Sequence, residues 1–289
     1  MLYSHNVEEA IKKLTMINAV YKDRTTRKYE IIIERKMRGL FGNMEREIVR
    51  LLNEKQGTDL SQMEMRRVMT AIERHHEEYL KTIINTKSEI GQKGKNRIVR
   101  QLQLAGYNIQ YTSLSSRVKE LLTRDAISAT EYGIDNIKNQ VSNILTKAYE
   151  DGIGHRETAK IITDKFSSLG EFHSRIIART EINSAQNRSK YETIQEYPDI
   201  INFKQWWSAE DERVRDGTLS EADHVKMHGQ IAYKDLPFSN NLYYPGDKNG
   251  DKDEWMGCRC TIIVFIMPFG YGAPIGKEYF YPHEIVKIS

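Results

Sequence analysis

The sequence predicts an α+β protein, in which an extended α-helical N-terminal region is followed by a small mixed α+β C-terminal module. Three features of the 289-residue chain indicate this class. Apolar residues recur at helical spacing through most of the first 197 residues, Pro198 interrupts that pattern, and the remainder is rich in Gly, Pro and Tyr and contains a β-branched apolar run, Thr261–Met267. A period of about 3.6 residues is typical of amphipathic helices, and a short run of this kind between turns is typical of a strand.

The N-terminal region is predicted to contain several amphipathic helices. Helical spacing appears first in residues 7–20 and continues in residues 30–53 and 60–84. In residues 30–53 the apolar positions are Ile33, Met37, Leu40, Met44, Ile48 and Leu51. A break at residues 57–59 separates two of these helices, and Thr58 or Asp59 is expected to cap the helix that follows.

Residues 91–113 are predicted to form a flexible basic connector, because they combine three glycines with clustered positive charge. The glycines lack the spacing of a phosphate-binding P-loop. Four basic residues of this connector are expected to contact DNA or a protein partner: Lys93, Lys95, Arg97 and Arg100.

A second helical stretch follows the connector. We predict helices over residues 115–150, 157–166 and 173–197, the last ending before Pro198. We accordingly divide the chain into a basic helical N-terminal region (1–113), a helical connector (114–170) and a C-terminal module (171–289).

Charge is distributed unevenly along the chain. Residues 1–120 contain 23 Lys and Arg against 15 Asp and Glu (+8), and residues 121–289 contain 20 against 25 (−5), which gives the overall +3. The excess is explained either by solvated helix faces or by a basic surface that meets DNA or an acidic partner. We expect neither a signal peptide nor a membrane-spanning helix, and the two cysteines, one residue apart, indicate a reducing compartment.

Five short sequence elements between about Phe172 and Val264 carry a more specific signal. In order along the chain they are ARTEINSAQN (178–187), KQWWSAEDERVR (204–215), HVKMHG (224–229), YYPGD (243–247) and GCRCT (257–261). Each is weak alone, but their order and spacing resemble the Mu F-like family of phage head-morphogenesis proteins. The sequence departs from the family pattern in its longer linker before His224, in His228 before Gly229, and in Gly257 before Cys258.

The resemblance implies a minor capsid protein of a tailed double-stranded-DNA phage or prophage. It implies a location in the virion, inside the capsid near the portal, after assembly in the host cytoplasm. The portal protein, capsid proteins and packaged double-stranded DNA are the implied partners, and head assembly with DNA packaging or ejection is the implied role. The alternatives are a nucleic-acid-binding accessory protein with a zinc-stabilised module and, less favoured, a toxin or ADP-ribosyltransferase-like enzyme.

Two histidines and two cysteines in the motif segment form a candidate zinc site. His224 and His228 would lie on one face of a helix, and Cys258 with Cys260 would complete a four-ligand sphere. Asp211 is a rival ligand. The alternative is that the cysteines are small buried residues and the histidines make ordinary polar contacts.

Charged residues of the same elements are predicted to form a structural ion-pair network, because arginine makes bidentate contacts with carboxylates. The expected members are Glu181, Arg179, Asp211, Arg213, Arg215 and Arg259. No combination of nucleophile and acid–base pair can be assembled from the sequence, so we expect no enzymatic activity.

Overall fold

The computed structural model describes residues 24–54 and 60–288, and it confirms the α+β class. Five long or medium helices occur in the described residues: α1 (Arg24–Asn53), α2 (Gln62–Arg74), α3 (His76–Leu104), α4 (Ser116–Glu150) and α5 (His155–Gln195). The helix predicted over residues 7–20 and the predicted caps Thr58 and Asp59 lie outside the described residues. No described helix is both long enough and apolar enough to cross a bilayer.

Helix α1 follows the predicted apolar spacing closely. Its buried apolar residues are Ile33, Met37, Leu40, Phe41, Met44, Ile48 and Leu52. Leu51 is only partly buried, and its neighbour Leu52 faces the core instead.

The predicted helix over residues 60–84 is divided at His75. Helix α2 begins with a capping box in which the Ser61 hydroxyl accepts from the Glu64 backbone N–H and the Glu64 carboxylate accepts from the Ser61 backbone N–H. This arrangement satisfies two N–H groups that have no partner within the helix. Helix α3 then starts at His76.

The prediction of a flexible connector over residues 91–113 was wrong at its start, because α3 continues to Leu104. Glycine inside this helix has a packing reason. A Cβ atom on Gly94 would lie 2.5 Å from the Gln186 carbonyl oxygen, so only glycine permits this close approach of α3 to α5. Gly106, with a φ of 97°, follows the end of the helix.

The prediction of separate helices over residues 157–166 and 173–197 was also wrong. Helix α5 is continuous from His155 to Gln195, and Gly170 lies within it. A single glycine costs a helix about 1 kcal/mol relative to alanine, which the burial of apolar residues on both sides, such as Phe166 and Ile182, can offset.

The described residues form two compact units assembled from separate stretches of the chain. One comprises residues 28–54, 60–87 and 120–181 and is helical; the other comprises residues 24–27, 88–119 and 182–288 and contains the strands. The domain boundaries near residues 113 and 170 stay a prediction.

The second unit contains a four-stranded antiparallel sheet. Its strands are β1 (Phe203–Trp207), β2 (Ile231–Tyr233), β3 (Thr261–Phe265) and β5 (Tyr279–Phe280), in the order β3-β1-β2-β5. Strand β1 pairs with β3 through five residue pairs from Phe203↔Phe265 to Trp207↔Thr261. A separate pair joins β4 (Tyr271–Gly272) and β6 (Val286–Lys287). One four-residue helix, α6 (Lys252–Trp255), precedes β3.

One face of this sheet packs against the helices of the same unit. The buried cluster there includes Ile98 and Leu102 of α3, Ile194 of α5, Trp206 of β1 and Ile262 of β3. The cysteines at the start of β3 belong to the same cluster, which places the candidate site at the core of the unit.

Candidate metal centre

His224 is held at the core by its backbone. Its N–H donates to the Arg215 carbonyl at 2.8 Å, and the following N–H of Val225 donates to the same oxygen at 3.0 Å. The Arg215 guanidinium in turn donates to the Met256 carbonyl. These bonds tie the segment containing His224 to the segment that leads to the cysteines.

Cys258 and Cys260 lie on the turn that enters β3. Gly257, with a φ of 67°, permits the backbone to turn before Cys258. The Cys260 backbone N–H donates to the Cys258 sulfur at 3.4 Å. Both thiols are free, and their exposed fractions are 0% and 1%.

The three side chains meet in one cluster. The Nδ1 atom of His224 lies 3.6 Å from the Cys258 sulfur and 3.6 Å from the Cys260 sulfur. All three candidate ligand atoms lie within 4.8 Å of one another, and the His224 side chain is as buried as the cysteines. In the part of the chain that the structure describes, this is the group of His, Cys, Asp and Glu side chains with the arrangement of a metal site.

The distances fit a zinc ion. In a tetrahedral site, Zn–S distances of about 2.3 Å and Zn–N distances of about 2.0–2.1 Å place sulfur and nitrogen roughly 3.6 Å apart. The two observed Nδ1–sulfur distances match that separation. Two sulfurs and an imidazole are also the soft and borderline donors that zinc prefers.

A carboxylate lies behind the histidine. The Nε2 atom of His224 is 2.9 Å from Glu254 Oε2, and the same oxygen accepts a hydrogen bond of 2.8 Å from the Asn240 side-chain amide. Burial by itself would raise the pKa of Glu254, but the bonds from His224 and Asn240 outweigh that effect, and its pKa lies below the ordinary value.

The cluster shifts the pKa values of the two thiols in opposite directions. Burial opposes ionisation of Cys258, but contacts with Cys260 and His224 lower its pKa well below the usual value. Burial and the neighbouring Cys258 raise the pKa of Cys260. Burial would lower the pKa of His224, and its contacts with Cys258 and Glu254 raise it to about 9. One thiolate is therefore already favoured before any ion binds, and thiolate is the form that ligates metals.

Aromatic rings pack against one side of the cluster. The Trp206 ring packs edge-on against the His224 imidazole, with centroids 5.3 Å apart, and against Phe238 at the same distance. Because Trp206 is fully buried, these contacts exclude water from one side of the site.

The structure does not bring His228 or Asp211 into this cluster. Residues 224–228 form turns rather than a helix, so the two histidines do not share a helical face. His228 Nδ1 lies 3.1 Å from the Ser208 hydroxyl, and its ring packs against Trp207. Asp211 instead accepts a forked contact from Arg259, at 2.9 and 2.7 Å.

The predicted ion-pair network is divided: Asp211, Arg213 and Arg259 lie together, whereas Arg215, Arg179 and Glu181 have other partners. Arg213 contacts Asp211 at 3.5 Å beside the Arg259 fork. Glu181 pairs with Lys87 at 2.7 Å, where both side chains are buried, and Arg179 lies 3.9 Å from Glu30.

The four basic residues predicted to contact DNA or a partner lie on α3 rather than on a loop. Lys95 is buried and donates to the Glu196 carboxylate at 2.7 Å. Lys93 and Arg97 are partly buried, and Arg100 is exposed.

Sequence reasoning missed Glu254, Asn240 and Asn187 as supports of the site. Asn187, on α5, donates to the Cys260 carbonyl at 3.0 Å and accepts from the Ile262 N–H at 3.2 Å. Asn187 was visible as the last residue of the first motif, but no spacing rule connects it with a strand more than 70 residues away.

All five motif elements contact another element. Gly246 of the fourth lies so close to the first that an added Cβ would be 3.2 Å from Ser184 Cα. The second meets the third through Trp206 and His224, and the fifth through Asp211 and Arg259. These contacts bring parts of all five elements together in the unit that contains the strands.

Comparison with known proteins gives one match. Residues 139–263 match the family model described as Phage Mu protein F like protein. No curated protein and no solved structure matches the chain. The matched region begins in α4, upstream of the first sequence motif, and contains His224, Cys258 and Cys260. The match confirms the resemblance found in the sequence motifs: residues 139–263 of this chain are similar to the family described as Phage Mu protein F like protein.

Proposed function

We propose that this protein is a minor capsid protein of a tailed double-stranded-DNA phage or prophage, associated with the portal and acting in head assembly and in DNA packaging or ejection. The observation that carries the proposal is the family match over residues 139–263, together with the convergence of all five motif elements in one module. The proposed location is the virion, inside the capsid near the portal, and the proposed partners are the portal protein, capsid proteins and packaged DNA.

The site geometry favours a scaffolding role for the motif residues over a catalytic one. The most reactive groups of the module are the two thiols, and both are buried. A catalytic thiolate has to meet its substrate, and reactive cysteines are accordingly at least partly exposed. Buried thiols that face a histidine are better suited to holding the module together.

The alternative of a nucleic-acid-binding accessory protein has less support. Neutralisation of phosphates requires accessible cations, and affinity then falls steeply with salt. Of the four basic residues that suggested such binding, Lys95 is buried against Glu196.

The proposed function is tested in the phage or prophage that encodes the protein. Disruption of the gene, with complementation by the intact gene as the control, should leave head assembly or infectivity defective. Aberrant heads would indicate a role in assembly, empty heads a role in packaging, and filled but non-infective particles a role in ejection. Mass spectrometry of purified procapsids and virions, and copurification with the portal protein, should detect the protein. Its absence from both particles and from the portal complex would overturn the proposal.

We further propose zinc as the ion held by His224, Cys258 and Cys260, with a structural role. Its support is the match between the observed Nδ1–sulfur distances and a tetrahedral zinc site. Zinc contributes binding free energy directly to the folded state, because the unfolded chain has no formed site. A loop-rich module with short strands gains most from such a contribution.

A further inference from the structure

The structure assigns Glu254 a role that the motif pattern does not contain: we infer that Glu254 is the outer carboxylate of the metal site and fixes the orientation and tautomer of His224. The inference rests on the zinc site proposed above. In it, His224 binds the ion through Nδ1, while the Glu254 carboxylate accepts a hydrogen bond from Nε2–H.

The orientation of the imidazole carries the first step. Its Nδ1 atom lies 3.6 Å from both sulfurs, and its Nε2 atom lies 2.9 Å from Glu254 Oε2. The two ring nitrogens therefore face different partners. Glu254 lies behind the ring and not beside the sulfurs, so it supports a ligand and is not itself one.

The chemistry of the partners fixes the tautomer. A neutral imidazole carries one N–H donor and one acceptor nitrogen, and an ionised carboxylate only accepts hydrogen bonds. Where His224 is the neutral ligand of a bound ion, Glu254 as the partner of Nε2 keeps the proton on Nε2 and leaves the Nδ1 lone pair for the ion. A carboxylate in this position also makes the histidine a more basic ligand.

Glu254 is itself held in place. The Asn240 amide donates to Glu254 Oε2 at 2.8 Å, on the same oxygen that faces His224. Glu254 belongs to α6, and the Cys258 N–H donates to the carbonyl of the adjacent Trp255 at 3.2 Å. One short segment of the chain thus supplies the carboxylate and both thiols, and Asn240 anchors the carboxylate from outside that segment.

The same atoms also resemble a nucleophilic relay in which Glu254 orients His224 and His224 activates Cys258. Two observations favour the metal site. The Cys260 sulfur lies at the same 3.6 Å from Nδ1 as the Cys258 sulfur, whereas a relay needs only one. Both sulfurs are also too deeply buried for a substrate to reach.

The test is the zinc affinity of the purified full-length protein, measured by competition with a chromophoric chelator. Loss of an outer-shell partner typically weakens metal binding about 10- to 100-fold, and we expect a weakening of this size for Glu254→Ala. Glu254→Gln should have a smaller effect, because its amide oxygen still accepts from Nε2–H. Glu278→Gln is the matched control, since Glu278 is exposed in the same unit, and it should leave the affinity unchanged.

Urea denaturation of each variant without metal distinguishes a role of Glu254 in positioning His224 from a general contribution to the stability of the fold. If Glu254 only stabilised the fold, Glu254→Ala would lower the urea midpoint of the metal-free protein and leave the zinc affinity of the folded fraction intact, which would overturn the inference. Should Glu254→Ala fail to fold, Glu254→Gln and Asn240→Ala carry the test, and each is expected to weaken zinc binding relative to Glu278→Gln.

The outcomes distinguish the two proposals. A wild-type protein that binds no zinc would overturn the zinc site itself. A wild-type protein that binds one equivalent, with Glu254→Ala of equal affinity, would overturn only the role of Glu254. Rapid alkylation of Cys258 by iodoacetamide in the folded protein, unaffected by zinc, would favour the nucleophilic relay instead.

Discussion

Both the nitrogen and the oxygen of the Asn187 side-chain amide form hydrogen bonds with the segment Cys260–Ile262. Its amide donates to the Cys260 carbonyl at 3.0 Å, and its oxygen accepts from the Ile262 N–H at 3.2 Å and from the Thr261 hydroxyl at 2.8 Å. Asn187 is fully buried on α5. It therefore joins the helix of the first motif to the strand that begins at the cysteines.

Substitution of Asn187 by alanine should destabilise the module. A buried backbone group left without its partner costs about 1–3 kcal/mol, and two such groups lose this partner, so a loss of roughly 2–6 kcal/mol is expected. Urea denaturation followed by tryptophan fluorescence measures it, because all three tryptophans (Trp206, Trp207 and Trp255) lie in this unit. Asn108→Ala, at an exposed position outside the helices, is the control. Equal free energies of unfolding for the two variants would show that the Asn187 contacts contribute no net stability.

Lys204 is a buried cation site in the same unit. Its Nζ donates to the carbonyls of Leu236 at 2.7 Å and Lys234 at 3.2 Å, and it faces the rings of Tyr191, Phe238 and Tyr243. Burial lowers the pKa of Lys204 from 10.5 to about 7. A neutral amine still has two N–H groups for the two carbonyls, so the uncharged form is compatible with this site.

This lowered pKa predicts a stability that rises with pH. Between about pH 7 and pH 10 the unfolded chain keeps the Lys204 proton while the folded protein has released it, so the free energy of unfolding increases with pH, by at most about 1.4 kcal/mol per pH unit. Below that window the amine is protonated in both states and the contribution is constant. The difference in unfolding free energy between wild type and Lys204→Met should therefore grow from about pH 7 to about pH 9. A difference independent of pH would contradict the shift.

Gly133 of α4 lies directly against Tyr79 of α3. A Cβ atom at Gly133 would be 2.4 Å from the Tyr79 hydroxyl oxygen and 2.9 Å from Cζ, and Tyr79 is buried. Gly133→Ala should therefore be destabilising by about 1–3 kcal/mol through overpacking, despite a helix-propensity gain of up to about 1 kcal/mol.

The measurement for Gly133→Ala is thermal or urea denaturation followed by far-ultraviolet circular dichroism, since this unit is helical. Gly39→Ala is the matched control: it also lies inside a helix, nothing lies within 4 Å of its added Cβ, and it should be stabilising. Tyr79→Phe removes the nearest atom, so the Tyr79→Phe, Gly133→Ala double variant should lose less stability than the sum of the single variants. Strict additivity would mean that the two residues do not clash.

Breaking the buried Lys87–Glu181 pair should cost more stability than breaking an exposed ion pair of the same length. Both side chains are buried, and their charged atoms are 2.7 Å apart. Lys87→Met should cost about 3–5 kcal/mol because it leaves a buried carboxylate without this cation. The pair formed by Lys138 and Glu73 has the same 2.7 Å separation but is far more exposed, so Lys138→Met should cost at most about 1 kcal/mol. Comparable losses in the two variants, measured by circular dichroism, would contradict a special role for burial.

The sequence alone predicted the fold class, because helical and strand periodicities are local properties. The apolar spacing of α1 gave five of its buried positions correctly, from Ile33 to Ile48. The same local rules began a connector at residue 91, where α3 continues to Leu104, and placed a break between residues 166 and 173, where α5 continues. By local rules a glycine predicts a break in a helix. Gly94 instead lies inside α3 because α5 approaches it closely, and a local rule cannot predict a contact between two helices.

The motif order by itself determined the family resemblance and the importance of His224, Cys258 and Cys260. Tertiary structure decided which side chains surround them. Spacing relates residues on one helix or strand, but residues 224–228 form turns, so His228 faces Ser208 while Glu254 faces His224. The partners of a buried polar group are chosen by the three-dimensional requirement that donors and acceptors be satisfied, and that requirement acts between segments that are distant in sequence.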